Sequence, residues 1–209
     1  MKRKNERKYH YFYVMNANFK AYCQKHGALS EAEIDLFYRF FTERKYKRNT
    51  ILLRDGEVAH EVYFVLSGFL RQYFYNEDGL EKTCNFAFEA EFITDLESFS
   101  RQAKAATNVM TMEASTVLVI SCKDLATAIG TSPAIAELCK TIVENVATEN
   151  IRRIQSLLSS SPEKQYVDLV QSKPQIAQRV PQRYFAQYLG LAPESLSRIR
   201  KRMLRTEKP

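Results

Sequence analysis

The chain has 209 residues, 26% charged and 45% hydrophobic, with a net charge of +7; these proportions suit a folded globular protein and exclude a disordered or collagen-like one. No stretch approaches the ~20 apolar residues of a membrane helix, and "YHYFYVMNANF" is too short and polar-broken for a signal-peptide core, so a cytoplasmic protein without membrane contact is expected. Four cysteines (Cys23, Cys84, Cys122, Cys139) and three histidines (His10, His26, His60) are widely spaced, a pattern that argues against zinc or iron–sulfur ligation; no metal and no cofactor is expected.

The charge is unevenly placed. Residues 1–8 carry five basic residues and one acidic, residues 178–209 eight and two, and the body between them is mildly acidic. A basic run without apolar periodicity, as at residues 1–8, reads as a solubilising extension. "LSEAEIDLFYRFF" then opens with Ser30 and Glu33 at capping-box spacing, and Ile34, Phe37, Tyr38 and Phe41 follow at helical intervals. From Thr50 the period changes. "TILLRDGE", "VYFVLSG", "FLRQYFY", "EKTCNFAF", "EFITDL" and "STVLVIS" are short runs rich in β-branched and aromatic residues, separated by "DG", "SG" and "NEDG" turns. Residues 50–122 therefore read as an antiparallel β-roll of jelly-roll type. "KDLATAIGTSP" is a short helix, and Ser132 with Pro133 starts a long one.

That helix carries Ile135, Cys139, Ile142, Val143, Val146, Asn150, Ile154, Leu157 and Leu158 at three- and four-residue steps. Such a stripe packs either on the roll or on a second copy as a coiled coil; a length of about 40 Å favours the copy. Cys139, Ile142, Val143, Val146, Asn150 and Ile154 are then the expected dimer contacts, with Asn150 either fixing register or sitting at an exposed edge. "SSSPEK" breaks the helix as a linker. The expected divisions are a lead-in over 1–27, a roll over 28–131, a dimerisation helix over 132–159 and a C-terminal helical domain over 160–209, giving an α+β fold.

In "VPQRYFAQYLGLAPESLSRIRKRM" a helix from about Pro181 turns Phe185, Tyr188 and Leu189 inward, Gly190 ends it, and Pro193 begins another. On the second, Leu196, Ile199 and Met203 share one face, and Glu194, Ser195, Arg198 and Arg202 the other. Two short helices joined by a glycine turn form a helix-turn-helix, whose second helix enters the DNA major groove. Arg198 suits a guanine edge and Glu194 a cytosine amine; Ser195, Gln182 and Arg183 suit phosphates. Ala192 stands where an N-capping Ser, Thr or Asp would contribute about 1 kcal/mol. The rival reading is a ligand-binding or protein-interaction roll with an incidental basic end. A cupin-like metal enzyme would need clustered histidines, and no catalytic constellation is present, so an enzyme is not expected.

Taken together, "RDGE", "YFVLSG", "NEDGLEKTCNFAFEAEFITDLESF" and "VPQRYFAQYLGLAPESLSRIRK" make residues 28–204 resemble the Crp–Fnr family of bacterial transcription regulators. The resemblance implies a homodimer on two-fold symmetric double-stranded DNA, RNA polymerase as a further partner, Glu194 and Arg198 as the base-reading pair, and Gln182 and Arg183 in the phosphate-contact region. It also implies an effector pocket, where the sequence departs from the pattern. Thr94 and Asp95 stand in place of the Gly-Glu pair of cyclic-nucleotide-binding members, and Ala105 and Ala106 in place of the Arg-Ser pair that neutralises the phosphate. An alanine offers no charge, so cyclic AMP is not expected to bind tightly; at most a small-molecule effector of other chemistry is left. The wing that usually follows the recognition helix is reduced to "LRTEKP".

Overall fold

The computed structural model describes residues 17–206. The expectation for residues 1–8 and the last three residues of "LRTEKP" lie outside the described residues. The chain is α+β: helix α1 over residues 17–26, α2 (Glu31–Tyr38), strands β1 (Thr42–Tyr46), β2 (Ile51–Leu53), β3 (Glu61–Ser67), β4 (Leu70–Tyr75), β5 (Glu81–Ala87) and β6 (Phe92–Ile93), helix α3 (Leu96–Arg101), β7 (Asn108–Thr111), β8 (Ser115–Ser121), and then α4 (Cys122–Thr131), α5 (Pro133–Ser159), α6 (Pro162–Ser172), α7 (Pro174–Arg179), α8 (Gln182–Tyr188) and α9 (Pro193–Thr206). Two compact units organise it: residues up to Gln72 with Phe86–Asn145, and Tyr73–Asn85 with the chain from Val146 onward.

The strands form two four-stranded sheets, ordered β1-β8-β3-β6 and β2-β7-β4-β5; all but Tyr73–Tyr75 of β4 and Glu81–Asn85 of β5 belong to the first unit. The runs "VYFVLS" and "STVLVIS" are apolar without alternation because both faces of β3 and β8 are covered. Tyr63, Val65, Val117 and Val119 point between the sheets, where Leu53, Leu70, Ala87, Phe99 and Val109 meet them. Phe64, Leu66, Leu118 and Ile120 point outward, under Phe19, Cys23, Ile34, Phe37, Ala128, Ile135 and Leu138 of the helices. The rings of Phe19 and Phe64 meet edge-on with centroids 5.3 Å apart, an arrangement aromatic quadrupoles favour.

The first strand begins at Thr42 rather than near Thr50. "TERKY" pairs only with β8 at the sheet edge and has no buried residue, so it lacks the apolar signature of its neighbours. Helix α1 lies within what reads as a lead-in, yet it seats Phe19 and Cys23 at 0% exposure. At Gly68, φ is +85°, and a Cβ there would stand 2.3 Å from Ser115 Oγ and 2.9 Å from the Ala114 carbonyl oxygen; both conformation and space select glycine at this turn.

The capping box is formed. The Glu33 amide donates to Ser30 Oγ at 3.3 Å and the Ser30 amide to Glu33 Oε2 at 2.9 Å. Ser132 Oγ also donates to Glu33 Oε1 at 2.7 Å. These bonds, from Ser132 and then Ser30, hold the Glu33 carboxyl below the ordinary carboxylate range. Ser132 Oγ accepts from the Ala134 amide at 3.2 Å and so caps the start of α5. The first half of α5 packs on the outer core: Ile135 and Leu138 are buried, and Cys139 and Ile142 lean against it.

In the second unit, "SSSPEK" is not a linker of any length. Ser161 caps α6 by accepting from the Lys164 amide, and Pro162 is its first residue. Gln165 Nε2 donates back to the carbonyls of Ser156 and Ser160, at 3.2 and 2.9 Å; the Ser156 oxygen also accepts from the Ser160 amide, so the bond tightens the end of α5. Ile176, Val180, Tyr184, Phe185, Ala186, Leu189, Leu196 and Ile199 are buried, and Tyr166 stacks on Phe185 at 5.6 Å.

Candidate nucleic-acid interface

The surface of interest lies on α9, and its position is set at the corner before it. At the end of α8, the Gly190 amide donates to the Gln187 carbonyl at 3.0 Å and the Leu191 amide to the Ala186 carbonyl at 2.9 Å. That pair of bonds is the Schellman motif. It requires the φ of +68° seen at Gly190, where a Cβ would meet nothing within 4 Å; conformation alone demands the glycine. Leu196 and Ile199 are then sunk at 0% and 4% exposure. With that face anchored, Glu194 and Arg198 fall on the exposed one and Ser195 at its half-buried margin. Neither Glu194 nor Arg198 has a hydrogen-bond or ion-pair partner among the described residues.

The other residues singled out from the sequence are engaged within the protein. Gln182 Nε2 donates to the Pro193 carbonyl at 3.1 Å, tying the start of α8 to the start of α9. Arg183 lies over the Tyr184 ring, 4.3 Å from its centroid. Arg202 pairs with Glu163 of α6. All three are exposed. Ala192 gives α9 its first carbonyl acceptor, taking the Ser195 and Leu196 amides at 3.1 and 3.2 Å, with no side-chain oxygen to cap the remaining amides.

The loop expected to hold an effector is built differently. Asp95 is 7% exposed. Its Oδ1 accepts from the Ser98 amide at 3.1 Å, and its Oδ2 from the Ala106 amide at 3.2 Å and from Thr107 Oγ1 at 2.7 Å. Thr107 in turn accepts from Gln72 Nε2 at 2.8 Å. Ala105 packs into the core between the sheets, its amide donating to the Glu57 carbonyl and its carbonyl accepting from Gly56. Thr94 Oγ1 donates to the Glu61 carbonyl at 2.9 Å. The structure thus brings Asp95, Ala105 and Ala106 together around one buried carboxylate. Ser98 and Thr107 complete that cluster. The Asp-x-x-Ser spacing marks an N-cap, but the reach of Asp95 to Thr107 has no local signature. A neighbouring cleft of about 280 Å³ is lined by Leu53, Val58, Ala59, His60, Glu61 and Tyr63, with no lysine or arginine among them. Among the described residues no three His, Cys, Asp or Glu gather as a metal site, and no helix is long and apolar enough to cross a membrane.

On α5, Cys139 and Ile142 are half-buried against the outer core and Val146 is half-buried. Val143, Ile151, Ile154, Leu157 and Leu158 are exposed, Leu158 at 84%. Asn150 is exposed among them.

Comparison with known proteins places this architecture. Residues 43–132 match the cyclic nucleotide-binding domain family. No curated protein sequence matches the chain significantly. Among solved structures, the chain is similar to the c-di-GMP responsive global regulator CLP of Xanthomonas campestris, with TM-score 0.64, 18% identity, and 85% of this chain and 93% of that one covered. It is similar to FixK2 of Bradyrhizobium japonicum, with TM-score 0.66, 17% identity and coverages of 79% and 85%. It is also similar to a protein of Eubacterium rectale assigned to the transcriptional regulators of the Crp/Fnr family, with TM-score 0.62, 16% identity and 84% of each chain covered. Residues 43–132 thus match the cyclic nucleotide-binding domain family, and the chain shares its fold with these solved regulators.

Proposed function

We propose that this protein is a sequence-specific regulator of transcription that binds double-stranded DNA as a homodimer in the cytoplasm, with RNA polymerase as a further partner, and that performs no catalysis. The observation that carries the reading is the face of α9. Glu194 and Arg198 are exposed, and unpartnered among the described residues, on a helix locked from behind by Leu196 and Ile199. A charged pair on a fixed helix is what base-edge readout requires; Gln182, Arg183, Ser195 and Arg202 then border the phosphates. The exposed stripe of Val143, Ile151, Ile154, Leu157 and Leu158 supports pairing with a second copy. In that pairing Val146 and Asn150 take part, while Cys139 and Ile142 serve chiefly the chain's own core.

The roll does not serve as a cyclic nucleotide receptor in this reading. The donors at Ala106 and Thr107 are spent on Asp95, and an incoming phosphodiester would meet that buried carboxylate with no cation from Ala105 or Ala106. The deciding experiment selects bound duplexes from a random pool and follows their affinity against salt. A two-fold symmetric consensus with half-sites about one DNA turn apart, ~34 Å, and a steep fall with salt are expected. Recovery of no consensus would overturn the reading, and calorimetric binding of cyclic AMP at micromolar concentration would overturn the account of the roll.

A further inference from the structure

Arg153 belongs to no site described above, yet three elements of the second unit meet on it. It projects from α5 and is half-buried. Its Nη1 donates to the Cys84 carbonyl of β5 at 2.6 Å, and its Nη2 to the Tyr188 carbonyl in the last turn of α8 at 2.9 Å. Its guanidinium carbon lies 3.9 Å from the centroid of the Tyr188 ring. One residue before Cys84, Thr83 is 3% exposed and donates through Oγ1 to Gln187 Oε1 at 2.8 Å. All of these residues belong to the same compact unit.

The chemistry explains why an arginine stands there. The carbonyls in the last turn of a helix have no helical partner and carry the negative end of the helix dipole. A planar guanidinium can donate to two acceptors while its face rests on an aromatic ring, which an ammonium cannot do. The acceptor on α8 is not an arbitrary carbonyl. It lies two residues before Gly190, the corner that sets the direction of α9. The other acceptor lies on a strand that continues into Phe86 and Ala87 of the roll.

We infer that Arg153 is a positioning residue for DNA reading: with the Thr83–Gln187 bond it clamps β5 and α5 onto the α8–α9 corner, so that the angle of the reading helix is set by strand and long helix together. The clamp does not touch DNA, and it rests on the reading of α9 as a DNA-binding helix.

The test uses the full-length chain with Arg153→Lys, Arg153→Ala and Thr83→Val. Affinity for the selected duplex and for random duplex is measured against salt, well below each variant's melting temperature. Hydrogen exchange is followed at the Gly190 and Leu191 amides. Arg153→Lys keeps the charge and loses the two-carbonyl fork, so about a tenfold loss of affinity is expected on the selected duplex. Random duplex should be bound as before and the salt slope should be unchanged. Thr83→Val should move the same quantities in the same direction by less, and exchange at Gly190 and Leu191 should quicken in all three. A salt slope shallower by about one, with equal loss on every sequence, would make Arg153 a phosphate contact and overturn the clamp. Unchanged specificity with unchanged exchange would also overturn it. If the unaltered protein bound no duplex, the DNA-binding reading would fail by itself; faster exchange at Gly190 and Leu191 in the variants would still show the clamp, and unchanged exchange would refute it.

Discussion

Two carboxylates, Asp95 and Glu194, show how differently the two units treat an acidic side chain. Asp95 is 7% exposed, and its two oxygens take three donors from its own chain. Glu194 is exposed and takes none among the described residues. A buried carboxylate is tolerable only when its hydrogen-bonding capacity is met inside; an exposed one on a rigid helix stays available to an outside donor. The loop at 94–107 is closed on itself, and the α9 face is open. On the proposed reading, binding belongs to the second region and a structural role to the first.

The contrast breaks most visibly through stability. Asp95→Ala orphans the Ala106 amide and the Thr107 hydroxyl, and is expected to lower unfolding free energy by roughly 2–4 kcal/mol. Glu194→Ala should stay within about 0.5 kcal/mol. Equal shifts in the two denaturation midpoints would erase the distinction. Function should show the reverse order. Arg198→Ala is expected to leave stability alone and to cost about 1–3 kcal/mol at one base position, relaxing preference there; binding profiles over all four bases at each site position measure it.

Gly190→Ala probes the corner between them. Because a Cβ has open space there, the expected cost is the left-handed backbone alone, about 1–2 kcal/mol, read from the thermal midpoint. A substantially larger loss would mean that side-chain packing as well as backbone conformation holds the corner. The smallest effect lies at alkaline pH and belongs to the closed side. Burial, joined by the nearby Cys139, pushes the Cys23 thiol up to about 12, and burial pushes Cys139 up to about 11, from an ordinary 9.0. A folded value above the unfolded one favours the neutral thiol in the folded protein. That contribution is complete below pH 9 and is lost as pH rises toward 11 and 12. Cys23→Ala should therefore flatten the decline of stability between pH 9 and 12, and thiol reagents at pH 8 should label half-buried Cys84 and Cys122 before Cys23. Rapid labelling of Cys23 would contradict its burial.

Much of this was legible in the chain. The capping box at Ser30 and Glu33, the glycine corner at Gly190 and the inward set of Phe185, Leu196 and Ile199 follow from local spacing, because capping, left-handed turns and helical periodicity each act over a few residues. The apolar runs around Phe64 and Leu118 announced strands, and the fold class followed. Strand β1 was not visible because an edge strand can be polar throughout. Arg153 was not visible either, since its acceptors lie 69 and 35 residues away in sequence. Tyr188 faces the Arg153 guanidinium rather than turning fully inward.

By itself, then, the sequence determined the α+β class, the glycine corner between α8 and α9 and the charged face that α9 presents, because these depend on patterns shorter than a helix. It also showed that Ala105 and Ala106 bring no charge to the loop beside the roll. Only the tertiary structure decided that Asp95 takes the Ala106 and Thr107 donors, that residues 73–85 join the C-terminal helices, and that α5 spends Ile135 and Leu138 on its own core before exposing Ile151, Ile154 and Leu158. The physical reason is common to all three. A buried donor or apolar face must be satisfied by whatever the fold brings to it, and that partner is set by chain topology over tens of residues.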